Sequence, residues 1–378
     1  MMLTVLFIFI EGLLLISAAT IAQLKWQPEK ITKQSILADH MKLSNETLFS
    51  EVPTLAFVTQ WNPRGFLLAK KRANHLDFVS NVWFNVAPAF GLEHMENVVI
   101  RGENDINRDF IRTLRKSNPD IKIVPRFFFT EFGDETAEYF VRKETLVQKT
   151  AQEIANLCHK HGFDGVVIDG FGTFVHSLRD NKMETVEMFM QIGNVIRRNE
   201  LTAILSIPAL AGAEDYGEKK QKNTSPLTQE ECSQLTDSYD FVQLWTYTDG
   251  ITTSRHLIND QYLLANLQLF GFSTKIFLGI NFYGLQYNLK EYRAGPRLRP
   301  WEPITSKQFL EVLKLEDSVL TWNEKNKEHE LVSESQNTFI LFPSLTTLEY
   351  RIALAKEHNV GVAFWDYGQG LDYFTNLA

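Results

Sequence analysis

The segment Phe163-Asp164-Gly165-Val166-Val167-Ile168-Asp169-Gly170-Phe171 sets a carboxylate, Asp169, inside an otherwise apolar run of strand length. Side chains alternate along a strand, so Val167, Asp169 and Phe171 are expected on one face and Val166, Ile168 and Gly170 on the other. A carboxylate taken out of water is costly unless it is hydrogen-bonded or protonated, so Asp169 needs a partner, and Tyr247 is the expected one. Other chemistries find little support. His159 and His161 stand two apart and cannot share a helix face, while His94, His176, His256 and His358 are scattered, so no metal set is expected. The chain holds no glycine-rich phosphate loop, no G-x-S-x-G nucleophile elbow and no C-x-x-C pair, and no cofactor is expected.

The elements that must position Asp169 recur along the chain. Eight apolar runs of strand length are separated by helical patterns: residues 54–60, 79–86, 121–129, 165–171, 203–208, 241–247, 275–281 and 360–365. Near-continuous Val, Ile, Phe and Leu is the pattern of parallel strands buried on both faces. Eight such βα units close a (β/α)8 (TIM) barrel, an α/β fold. Between them, residues 105–117 place Ile106, Phe110, Ile111 and Leu114 on one stripe, and residues 345–358 do the same with Leu348, Ile352 and Ala355. Gly162 and Gly271 stand where helices end. The spacing breaks between the seventh and eighth strands, where residues 285–342 hold Pro296, Pro300, Pro303, a helical 306–315 and strand-like 319–322 and 338–342. That insertion is too short to bury its own core and is expected to pack beside the barrel.

On this fold, function belongs at the C-terminal ends of the strands. The rule selects Gln60, Trp61, Asn85, Glu131, Asp169, Phe171, Tyr247, Asp249, Asn281, Tyr283, Trp365 and Asp366.

Composition bounds the rest. With 44% hydrophobic and 22% charged residues the chain is globular, and a net charge of −8 without a long Lys/Arg run argues against nucleic acid. Residues 1–22 read as a signal peptide, with an uncleaved anchor as the other reading because the leader lacks Lys/Arg and carries Glu11. A polar segment follows over 23–52, then the barrel over 53–378. Asn45 and Asn223 head N-glycosylation sequons, which matter if the chain enters the secretory route. The two cysteines, Cys158 and Cys232, each continue an apolar helical stripe and are expected as packed core thiols.

The fourth run resembles the F-D-G-x-D-x-D-x-E strand of glycoside hydrolase family 18, the chitinases. Asp164, Gly165 and Asp169 fall on its first aspartate, its glycine and its third aspartate; Val167 replaces the second aspartate and Phe171 the glutamate. Leu244-Trp245-Thr246-Tyr247 resembles the family's M-x-Y-D strand with Thr248 in place of the aspartate, and Leu278 to Gly284 is similar to its L-G-x-P-x-Y-G strand. Gly361 to Trp365 resembles the last strand, whose tryptophan floors the sugar cleft. The ending Trp365 to Phe374 is similar to a chitinase-like subgroup of secreted and lysosomal saccharide binders.

The resemblance implies recognition of chitin-type oligosaccharides, with other microbial glycans and a scavenger-type sorting receptor as further partners. It also implies that catalysis is lost, because the family protonates the leaving oxygen from the glutamate position, and general acid catalysis is worth roughly 10²- to 10⁴-fold. Trp365, Tyr247, Asp169, Tyr283, Asn281, Phe171 and Trp61 are the expected ligand-binding residues. For several the plainer alternative stands beside this: Asp169 and Tyr247 as a satisfied core pair, Phe171 and Val167 as barrel fill, Trp61 and Trp245 as core aromatics. Two other functions remain open. Glu131, Asp169, Asp249 and Asp366 would restore hydrolysis if two lay about 5 to 5.5 Å or about 6.5 to 9.5 Å apart across a cleft. A plugged cleft with an apolar patch elsewhere would favour a receptor-binding role.

Overall fold

The computed structural model describes residues 24–44, 52–90, 95–175, 178–212, 225–247, 258–294 and 301–377. The leader, Asn45, Asn223 and Asp249 lie outside them.

The strands are, in chain order, β1 (Thr54–Val58), β2 (Phe78–Phe90), β3 (Met95–Arg101), β4 (Lys122–Ile123), β5 (Arg126–Phe129), β6 (Gly165–Asp169), β7 (Thr202–Pro208), β8 (Phe241–Trp245), β9 (Ile276–Asn281), β10 (Gly284–Asn288), β11 (Trp301–Ile304), β12 (Val319–Asn323), β13 (Glu328–Ser333), β14 (Thr338–Leu341) and β15 (Gly361–Trp365). Strands β1, β2, β5, β6, β7, β8, β9 and β15 pair in parallel, and β1 bonds both β2 and β15, which closes an eight-stranded barrel as the sequence pattern predicts. Strand β2 outruns its expected end: from Asn85 it also forms an antiparallel hairpin with β3, which continues beyond Val86, the last residue paired with β5. The third apolar run is interrupted at Val124-Pro125, since proline has no N–H for the ladder.

Alternation divides the apolar residues into two layers. Leu55, Phe57, Phe78, Val124, Val167, Ile204, Phe277 and Ala363 fill the barrel, with Val82, Phe241 and Trp365 partly buried against them. The opposite faces of the strands carry a larger core shared with the helices. Helix Arg108–Ser117 buries Phe110, Ile111 and Leu114 and starts at Asn107, whose Oδ1 accepts from Phe110 N at 2.9 Å. Helix Glu144–His161 ends at Gly162 with φ 66°, a left-handed residue that glycine adopts without strain. Cys158 and Cys232 are buried free thiols in this layer.

The insertion is an antiparallel sheet in the order β11-β10-β14-β13-β12. Helix Leu345–Glu357 anchors it: Arg351 sits 3.5 Å from Glu328 of β13 and donates from Nη1 to Asn281 Oδ1 of β9 at 3.0 Å. The N-terminal segment is fastened to the same helix, because the backbone amides of Lys25 and Trp26 donate to the two oxygens of Glu349 at 2.8 and 2.9 Å. Among the described residues, no helix is long and apolar enough to cross a membrane and no cluster of His, Cys, Asp or Glu could hold a metal ion.

Candidate functional site

Asp169 ends β6 inside the barrel and is 2% exposed. Its partner is not the expected Tyr247 but Arg126, the first residue of β5, whose Nε donates to Asp169 Oδ2. Asp169 Oδ1 accepts from the backbone N of Gly170 at 2.6 Å. Register explains the pairing: Phe128 lies opposite Asp169 and Arg126 opposite Val167, so an arginine one layer down has the length to reach up the inner face. Burial pushes the Asp169 carboxyl upward, and the charge and hydrogen bond of Arg126 oppose that shift. The guanidinium carbon lies 4.2 Å from the ring centre of Phe128 and 5.4 Å from that of Trp365.

Phe171 departs from the alternation. Gly170 takes φ 123°, and a Cβ there would stand 2.7 Å from Phe129 O, so the chain turns where only glycine fits and β6 stops at Asp169. Phe171 then begins helix Phe171–Val175 and points away from the barrel interior. It is 0% exposed and packs on Phe189 of helix Leu178–Arg198, with ring centres 5.1 Å apart. It is neither barrel fill nor a mouth residue, which corrects both readings of the sequence. Val167 does face inward.

Trp365, half-buried at the end of β15, packs on Phe57 at 5.1 Å between ring centres and stands above Arg126. Its peptide bond to Asp366 is cis. Trp245 shares this interior and donates from Nε1 to Ser206 Oγ at 2.6 Å. Tyr247 and Tyr283 are buried and meet edge to face, 6.3 Å between ring centres. Burial, reinforced by Tyr283 and Asp169 and opposed by Arg126, holds the Tyr247 hydroxyl far above its ordinary range, so it is a neutral donor. Trp365, Trp245, Tyr247 and Tyr283 also pack with the apolar residues of the insertion, which makes the inserted sheet one wall of the mouth.

Asn281 is placed differently from a sugar contact. It is buried, donates from Nδ2 to Tyr283 O at 2.7 Å and accepts from Arg351, so its polar atoms bind the insertion to the barrel. Trp61 is not a core aromatic: it is 64% exposed in the turn after β1.

Of the other candidate carboxylates, the two among the described residues are each engaged. Glu131 is exposed and pairs with Arg101 at 3.1 Å. Asp366 is fully buried, accepting from Thr59 Oγ1 and, at 3.3 Å, from Gly368 N. Burial raises its carboxyl to about 6, against those hydrogen bonds.

Arg126 and Thr59 were missed by residue-by-residue reading. Arg126 left a signal: a lone cation in Val124-Pro125-Arg126-Phe127-Phe128-Phe129 must be buried, and a buried charge requires an opposite one.

The family model described as glycosyl hydrolases family 18 matches residues 54–370. Among solved structures, a chitinase from Chromobacterium violaceum superimposes with a TM-score of 0.67 at 12% identity, covering 86% of this chain and 97% of its own. A family 18 N-acetylglucosaminidase from Paenibacillus barengoltzii gives 0.62 at 16% identity, covering 86% and 100%. A plant class V chitinase mutant from Cycas revoluta, in complex with (GlcNAc)3, gives 0.64 at 14% identity, covering 86% and 98%. At these identities the likeness is one of fold.

Proposed function

The chain belongs to glycosyl hydrolases family 18, and from that premise we propose that it is a non-catalytic member that binds chitin-type oligosaccharides at the C-terminal mouth of its barrel. The observation that carries this reading is Phe171. It stands where the family strand has its proton-donating glutamate, it has no proton to give, and its side chain is buried against Phe189 in the helix layer. Asp169, on the third aspartate of that strand, is tied to Arg126 and is not free to orient a substrate acetamide.

Binding has better support than catalysis. A pyranose presents apolar C–H faces to an aromatic ring and hydroxyls to polar groups at its rim. Trp365 offers the ring, Tyr247 and Arg126 offer donors beneath it, and exposed Trp61 offers a second ring on the neighbouring turn. The Cycas revoluta structure, of the same fold, holds a GlcNAc trimer. The Trp365 to Phe374 segment resembles that of the stabilin-interacting chitinase-like subgroup, and this resemblance, with the leader pattern, supports a secreted or lysosomal protein handled by a scavenger-type receptor as part of the proposal.

Calorimetric titration with chitotetraose, beside Trp365→Ala and followed by product analysis, tests the reading. Saturable heat lost in the variant, with intact sugar recovered, is expected. Shortened oligomers would establish a hydrolase, and absence of heat would move the function to receptor binding.

A further inference from the structure

The guanidinium of Arg126 is only partly used. Nε serves Asp169, whereas no hydrogen bond joins either Nη to a described residue, and the side chain keeps 10% of its surface exposed. The group is held between Phe128 and Trp365, so its direction is fixed by packing and by the ion pair. An arginine whose terminal fork is preorganised and unengaged, in a largely enclosed apolar setting, is suited to a planar anion that accepts two parallel N–H bonds. The acceptors that would compete are committed elsewhere: Asp169 is compensated by Arg126 itself, Glu131 faces Arg101 at the surface, and Asp366 lies under Thr59. Tyr247, kept neutral by burial, adds a donor on the same side. A ligand at this mouth therefore meets an aromatic ring with donors beneath it.

We propose that the mouth selects a glycan whose Trp365-stacked pyranose, or its immediate neighbour, carries a carboxylate, as in a uronic acid or an O-lactyl sugar, and that Arg126 reads that group. The proposal rests on the mouth being a glycan site and narrows the ligand within that reading. The charge of −8 over the whole chain does not oppose it, since charges beyond about 8 to 10 Å are screened at physiological salt while the Arg126 contact is direct.

The test compares three tetrasaccharides by calorimetry: neutral chitotetraose, hyaluronan tetrasaccharide, which alternates N-acetylglucosamine with glucuronate, and the methyl ester of the latter. The acid is expected to bind about 10-fold tighter than its ester and than chitotetraose, the ordinary gain from one charge-assisted contact. That advantage should shrink at high salt and be reduced in Arg126→Lys, with near-ultraviolet circular dichroism reporting whether the variant is folded. Because the ester alters only the ligand, the comparison holds even if the variant misfolds. Equal affinity for acid and ester overturns the assignment to Arg126 while leaving the glycan site intact, and failure of all three sugars to bind overturns both.

Discussion

Asp366 accepts a hydrogen bond from Thr59 through Oδ2, which fastens the residue after the last barrel strand to the residue after the first. The two strands already pair in parallel at the closing seam, and Tyr367 N donates to Phe57 O at 3.0 Å just beyond it. Helix Pro63–Lys71 docks on the same seam, where a Cβ on Gly368 would lie 2.2 Å from Gly65 N. The turn carrying Trp61 and the strand end carrying Trp365 are thus held by one buried carboxylate.

That carboxylate gives stability a pH dependence. Its folded value of about 6 lies above the ordinary 3.8, so between these limits the folded chain keeps a proton that the unfolded chain releases. Stability contributed by this group is full below about pH 4 and falls as pH rises through 6, by about 3 kcal/mol for a shift of about two units. Urea denaturation of Asp366→Asn at pH 5 and pH 7.5 should show a flatter pH dependence than the parent chain; an unchanged slope would remove Asp366 as its cause.

Breaking the buried ion pair at one end should be far worse than removing it whole. Arg126→Met leaves Asp169 uncompensated and is expected to cost about 3 to 5 kcal/mol, whereas adding Asp169→Leu should recover most of the loss. A double-mutant cycle in denaturant measures this, and additive losses would contradict the pairing.

Restoring the family glutamate should not restore hydrolysis. Phe171→Glu would bury a carboxylate against Phe189 rather than present it to the mouth. A loss of stability of about 3 kcal/mol or more is expected, with no release of reducing sugar from chitotetraose. Turnover in this variant would mean that β6 extends past Gly170 in solution.

Trp61→Ala separates binding from folding. The side chain is 64% exposed, so its removal should change stability by no more than about 0.5 kcal/mol. Chitotetraose affinity should fall several-fold if the indole contributes to the platform; unchanged affinity would confine binding to Trp365 and its neighbours.

By itself the sequence determined the barrel, because eight apolar runs buried on both faces have few ways to pair and because the helix stripes between them match the outer layer. It also determined where the insertion falls, from the break in spacing after Asn281. The partner of Asp169 was decided only in three dimensions: Arg126 and Asp169 are 43 residues apart, and strand register together with arginine's reach brings them together. The direction of Phe171 was likewise a tertiary matter. A period of two continues only while the backbone stays extended, and the close approach of Phe129 to Gly170 ends it two residues early. Asn281 went to the insertion and Trp61 to solvent for a related reason. The end of a strand marks which residues can reach the mouth, but the neighbouring elements decide which of them do.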